Sequence, residues 1–123
     1  MENIMKQYDL TGKIALVTGA SYGIGFAIAK GLASAGATIV FNDRKEELVE
    51  KGIEAYGYVC DVTDEDAVEE LIKKIENEVG IVDILVNNAG IIKRIPMCEM
   101  KAAEFREVID VDLNAPFIMS KAV

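Results

Sequence analysis

A chain of 123 residues is long enough for one domain and too short for two. Apolar residues make up 51% of it and charged residues 28%, the balance of a chain that buries a core and not of a disordered tail. The net charge of -8, with no patch of Lys and Arg, argues against nucleic acid and anionic membrane surfaces as partners, and no apolar run is long enough to span a bilayer.

The first residues show no basic end followed by an apolar core, so the expected setting is soluble and cytoplasmic. Cys60 and Cys98 lie far apart and the chain has no His, so no zinc or other metal site is expected and both cysteines read as ordinary thiols. The missing His also removes the usual base of a Ser or Cys hydrolase.

In chain order, residues 13–18 form a short apolar run leading into a glycine cluster, the pattern of a buried parallel strand and a tight turn. Residues 23–35 predict a helix with Ile24, Ile28 and Leu32 along one line and Gly36 as its stop. Residues 38–41 predict a second strand ending at Asn42-Asp43, and residues 44–51 a short exposed helix. Residues 55–60 predict a third strand, ending at Asp61.

The clearest helix follows, with Thr63 or Asp64 as cap, Ala67, Leu71, Ile75 and Val79 at i+4 spacing, and Gly80 as stop. Glu69 with Lys73 and Glu70 with Lys74 are spaced to pair on its solvated face. Residues 83–87 predict a fourth strand running into Asn88-Ala89-Gly90, and a loop with Pro96 follows. From Lys101 the pattern is helical, with Phe105, Ile109 and Leu113 on one side and Pro116 set to kink or restart the helix. Alternating strands and helices predict an α/β fold with a parallel sheet wrapped by right-handed crossovers.

The chemical signal sits between the first strand and the first helix, at Thr18-Gly19-Ala20-Ser21-Tyr22-Gly23-Ile24-Gly25. A dinucleotide's diphosphate needs backbone N-H groups at a helix N-terminus and reaches them only where no Cβ intervenes. Gly19 would make the turn, Gly23 admit the phosphates and Gly25 seat the helix on the sheet. Asp43, 18 positions beyond Gly25, stands close to the spacing at which an acidic side chain meets the adenosine ribose, and Asp61 could reach the adenine. Each aspartate alone reads equally well as a strand terminator; with the glycine turn they point to a bound dinucleotide. A Walker loop is excluded because Phe26 follows the last glycine, and a phosphoacceptor receiver with Asp61 ending its third strand is disfavoured because acidic residues are missing after the first strand.

These motifs, with Asp61-Val62 and Asn87-Asn88-Ala89-Gly90, resemble the short-chain dehydrogenase/reductase family in order and over nearly the whole chain. Ser21 to Phe26, Ile91-Ile92-Lys93-Arg94 and Asp112 to Phe117 resemble its gluconate 5-dehydrogenase-like members. The resemblance implies a Rossmann-type doubly wound sheet of order 3-2-1-4, in a single dinucleotide-binding domain over 1–123 that is cut off before a fifth strand. It implies NAD or NADP as cofactor and a sugar acid or polyol as small-molecule substrate. It also implies Ser21, Tyr22 and Ile24 lining the phosphate turn, Asp61 and Val62 the adenine, and Asn88, Ala89 and Gly90 the ribose next to nicotinamide, with Asn87 bracing the strand end. Asp43 favours NAD, whereas Arg44 would pair with a 2'-phosphate or simply open its helix. Arg94 would hold the substrate's carboxylate or be an exposed loop charge.

The chain departs from the family's pattern in three ways. Its tyrosines, Tyr8, Tyr22, Tyr56 and Tyr58, are followed four residues on by Gly12, Phe26, Cys60 and Val62, so no Tyr-x-x-x-Lys acid/base pair exists and the chain alone is expected to be inactive. By the resemblance Asp112 falls where the family has a catalytic Asn and would help position water or a lysine; its apolar neighbours equally suggest a buried capping or backbone-bonding role. The crossover between Asp43 and Asp61 is short, which predicts strain in the adenosine pocket. With no partner strand, residues 84–86 would leave an apolar sheet edge open to self-association.

Overall fold

The computed structural model describes residues 3–43 and 55–123. The expected helix at 44–51, Arg44 and the short crossover lie outside the described residues. After a 3-10 turn at Ile4–Tyr8 come β1 (Ile14–Thr18), α1 (Gly23–Ser34), β2 (Thr38–Asp43), β3 (Ala55–Val59), α2 (Glu65–Glu78) and β4 (Ile84–Val86). The last helical stretch is α3 (Ala102–Ile109), a π turn (Asp110–Asn114) and α4 (Ala115–Ala122). The sheet is parallel throughout, in the expected order β3-β2-β1-β4.

The unbroken apolar runs of β1 and β2 follow from burial on both faces. Leu16 and Val40 face Val68, Ile72 and Ile75 of α2 and Ala115 and Met119 of α4. Their neighbours Ala15, Val17, Ile39 and Phe41 face α1. Topology places the reversal of strand order between β1 and β4, the switch point where ligands sit in open α/β sheets.

α1 is turned by one residue from the expected line. Gly25 and Ala29 are its buried residues, and Ile24 is 76% exposed. Small residues let the helix lie close to the sheet, while Phe26 stacks on Phe41 with ring centroids 6.4 Å apart. α2 is as expected, with Asp64 as the cap, accepting from the Ala67 N–H at 3.1 Å. Its expected ion pairs do not form: Lys74 leans over the ring of Tyr58, 5.5 Å from the centroid, and the ion pairs among the described residues are Lys93–Glu107 and Lys121–Glu65. Exposed i,i+4 pairs contribute only about 0.2–0.5 kcal/mol, so a competing cation–π contact is enough to displace one.

As expected, the α-helix restarts at Pro116, which stands in the first turn of α4 after the π turn. The Ala115 N–H reaches back five residues to the Asp110 carbonyl, and this wider turn carries the chain past a proline that has no N–H to give. The side that carries Phe105, Ile109 and Leu113 faces largely outward: Phe105 is 56% exposed, Leu113 63% and Phe117 68%, with Ile109 half-buried. Val111, Ala115 and Met119 meet the core in their place. β4 pairs only with β1 among the described strands, and its three residues are half-buried.

Candidate dinucleotide site

The carboxyl ends of β1 and β4 are joined through one hydroxyl. Thr18, 1% exposed, accepts from the backbone N–H groups of Asn88 at 3.1 Å and Ala89 at 3.0 Å. The side-chain amide of Asn88 donates back to the carbonyls of Thr18 at 3.1 Å and Gly19 at 3.0 Å. The turn from Gly19 to Gly25 is thereby fixed against the Asn88-Ala89-Gly90 segment.

Each glycine of the turn has its own physical reason. Gly19 has φ +60°, and a Cβ there would stand 2.9 Å from the Ala89 Cα. Gly25 is buried where a Cβ would meet the Asn88 amide nitrogen and, at 2.8 Å, the Gly19 carbonyl oxygen. Gly23 has φ +64° and open space within 4 Å of its Cβ position, so it needs glycine for its conformation while leaving clear room above the turn. Tyr22 caps α1 in an extended conformation without a side-chain hydrogen bond to the first turn. Those first N–H groups are a dipole end suited to an anion.

Ser21 donates its hydroxyl to the Asp43 carboxylate, which joins the turn to the end of β2. Tyr22 and Ile24 are exposed beside the turn at 74% and 76%. Asp61 is exposed at the end of β3, its Oδ1 accepting from the Thr63 N–H at 3.0 Å and the Thr63 hydroxyl at 2.7 Å. Val62, next to Asp61, is 1% exposed and packs in the core.

The two asparagines hold different neighbours. Asn88 braces the end of β1 with its amide, and Asn87 ties the end of β4 to the Ser120 hydroxyl of α4 at 3.3 Å. Asp112 is exposed, against the burial expected from its neighbours, but it does bond backbone: its Oδ1 accepts from the Ile91 N–H at 2.8 Å. Gly90 allows this approach, its Cβ position being 3.3 Å from the same oxygen. Arg94 is exposed and has no hydrogen bond or ion pair among the described residues, whereas Lys93 pairs with Glu107.

Two residues escaped sequence reasoning. Thr18 is the hub described above, signalled by a hydroxyl closing an otherwise apolar strand. Asn42, 1% exposed, donates its amide to the Cys60 carbonyl at 3.2 Å and accepts from the Gly19 N–H through its own carbonyl at 2.7 Å. A polar residue inside a strand buried on both faces was the available sign. Burial, then the charges of Asp61 and Asp64, push the Cys60 thiol up to about 11, which keeps it protonated and inert.

Residues 13–123 match the short chain dehydrogenase family. The chain belongs to that family. A 2-dehydro-3-deoxy-D-gluconate 5-dehydrogenase of Formosa agariphila is 53% identical over 94% of this chain and 47% of its own length. A gluconate 5-dehydrogenase of Gluconobacter oxydans is 42% identical over 94% and 48%. Among solved structures, 2-keto-3-deoxy-D-gluconate dehydrogenase from Streptococcus agalactiae is 64% identical, with a TM-score of 0.82, over 98% of this chain and 50% of that one. A gluconate 5-dehydrogenase from Burkholderia cenocepacia, solved in complex with NADP and tartrate, superposes with a TM-score of 0.90 at 38% identity over 98% and 51%. The chain thus spans about half the length of the curated short-chain dehydrogenases it matches.

Proposed function

We propose that this chain is the dinucleotide-binding half of an NAD(P)-dependent oxidoreductase acting on a sugar acid or related polyol. The observation that carries the reading is the glycine turn: two glycines at positive φ, a third pressed onto Asn88, and open space over Gly23 at the head of α1. In this reading Gly19, Gly23 and Gly25, with Ser21, Tyr22 and Ile24, receive the diphosphate. Asp43 takes the adenosine ribose, and Asp61 borders the adenine with Val62 packed beneath it. Asn88 acts through bracing, while Ala89 and Gly90 offer backbone to the second ribose.

Asp43 supports NAD over NADP, because a carboxylate repels a 2'-phosphate; the adjacent Arg44 is the counterweight. Arg94, exposed and without a charged partner among the described residues, suits a substrate carboxylate. The nicotinamide, when bound, supplies hydride chemistry; this chain's residues bind and orient it. The setting proposed is cytoplasmic, with both cysteines free.

Titration of the 123-residue chain with NADH and NADPH, followed by nicotinamide fluorescence, tests the reading. Saturable binding with NADH the tighter is expected, and no uptake of either at millimolar concentration would defeat it. No tyrosine among these 123 residues is followed four residues on by lysine, so these residues alone bind and do not turn over. Binding without formation of NADH from NAD and gluconate is what this chain alone should show.

A further inference from the structure

The loop after β4 is tied down twice by the helical stretch that follows it. Asp112 takes the Ile91 N–H at 2.8 Å, and Glu107 takes the Lys93 ammonium. On a regular helix, positions five apart point about 140° away from each other. Here the π turn intervenes, with its Ala115-to-Asp110 bond, and both carboxylates reach the same loop. Lys93 is drawn back to α3, and its side chain is only 29% exposed.

The sheet order gives this loop a distinct place. Asp43 and Asp61 lie at the ends of β2 and β3, on one side of β1, and the tied loop leaves β4 on the other side. A dinucleotide laid across the β1 turn would rest its adenosine half on the first pair and its far half against Ala89 to Ile91. Resting on the dinucleotide reading above, we propose that Lys93–Glu107 is a positioning latch that holds residues 90–94 against the nicotinamide half of the ligand and is indifferent to the adenosine half. Asp112 fixes the near end of the loop and the latch fixes the far end. Arg94, the next residue, is exposed and has no ion pair among the described residues.

The experiment compares NADH with ADP, which carries the adenosine and diphosphate and lacks the nicotinamide end, by isothermal titration of the wild-type chain, Glu107→Gln, and the charge swap Lys93→Glu/Glu107→Lys. Wild type is expected to bind both. Glu107→Gln should leave ADP within twofold and weaken NADH about three- to fivefold, the size of effect an exposed ion pair can supply. The swap should bring NADH back to within twofold of wild type, which a merely local loss of packing would not do. An unchanged NADH-to-ADP ratio in Glu107→Gln, an equal loss of both ligands, or a swap no better than the single variant overturns the latch while leaving the dinucleotide reading intact. Failure of wild type to bind either ligand removes the dinucleotide reading, and the latch with it.

Discussion

Thr18 and Asn88 hold each other in both directions: the Thr18 hydroxyl accepts from the Asn88 N–H at 3.1 Å, and the Asn88 side chain donates to the Thr18 carbonyl at 3.1 Å. The pair links residues 70 apart in sequence and closes the switch between β1 and β4. Thr18→Val keeps the shape and leaves the N–H groups of Asn88 and Ala89 without their acceptor, at a cost of about 1–3 kcal/mol. Thr18→Ser retains the hydroxyl and should lose less. Urea denaturation of the three proteins measures the difference, and equal midpoints for Val and wild type would refute the linkage.

Two glycines of α1 should respond in opposite ways to the same substitution. Gly25→Ala places a methyl against the Asn88 amide and the Gly19 carbonyl, so it should lower Tm and abolish NADH binding together. Gly31 lies inside the same helix with nothing within 4 Å of its Cβ position. Gly31→Ala should stabilise by about 0.5–1 kcal/mol, the helix-propensity gain, with binding unchanged. A thermal melt and an NADH titration on each variant are sufficient, and equal effects at both sites would contradict the packing described for Gly25.

How much of this was legible in the sequence depends on whether an element carries its own signal. The strands, α2 and the glycine turn were readable from the residues, because burial leaves apolar runs and positive φ leaves glycine, whereas the strand order came from the family resemblance. The rotation of α1 was not: Ile24, Ile28 and Leu32 make a convincing helical line, but close approach to the sheet selects Gly25 and Ala29. Asn87 and Asn88 are chemically identical neighbours, and only the backbone's direction at the end of β4 decides which one faces the turn. The outward turn of Phe105, Leu113 and Phe117 was likewise invisible, since an apolar helix line reads as core until the sheet it would cover is counted.

The thiols and Tyr58 give a chemical test of burial. Cys98 is exposed, and Cys60 is buried with its thiol raised to about 11, so a disulfide-exchange reagent at pH 8 should label Cys98 promptly and Cys60 only on unfolding. Tyr58 donates to Glu78 at 2.6 Å, and burial followed by that hydrogen bond and its charge raises the phenol from 10.0 to about 12. The unfolded chain therefore gives up this proton first. Its contribution to stability is intact below pH 10 and is lost as the pH rises toward 12. Tyr58→Phe should flatten the fall in stability across that window relative to wild type, and an identical slope in both proteins would show that Tyr58 is not held as described.

Self-association of the 123-residue chain should follow from the outward helical face together with the edge of β4, which pairs only with β1 among the described strands. Phe105, Ile109, Leu113 and Phe117 stand at intervals of four and run aromatic, aliphatic, aliphatic, aromatic in either direction. Two copies packed antiparallel would set aromatic on aromatic and aliphatic on aliphatic, the self-complementarity a two-fold interface requires. An apolar stripe of this kind is costly to leave in water, and the charge of -8 opposes association mainly at low salt. Sedimentation velocity should show an associated species that grows with protein concentration and with salt. Leu113→Glu/Phe117→Glu changes two exposed positions and should shift the population toward monomer without lowering Tm. If that variant sediments as wild type does, the helical face is not the contact and the β4 edge is left as the surface that joins the copies.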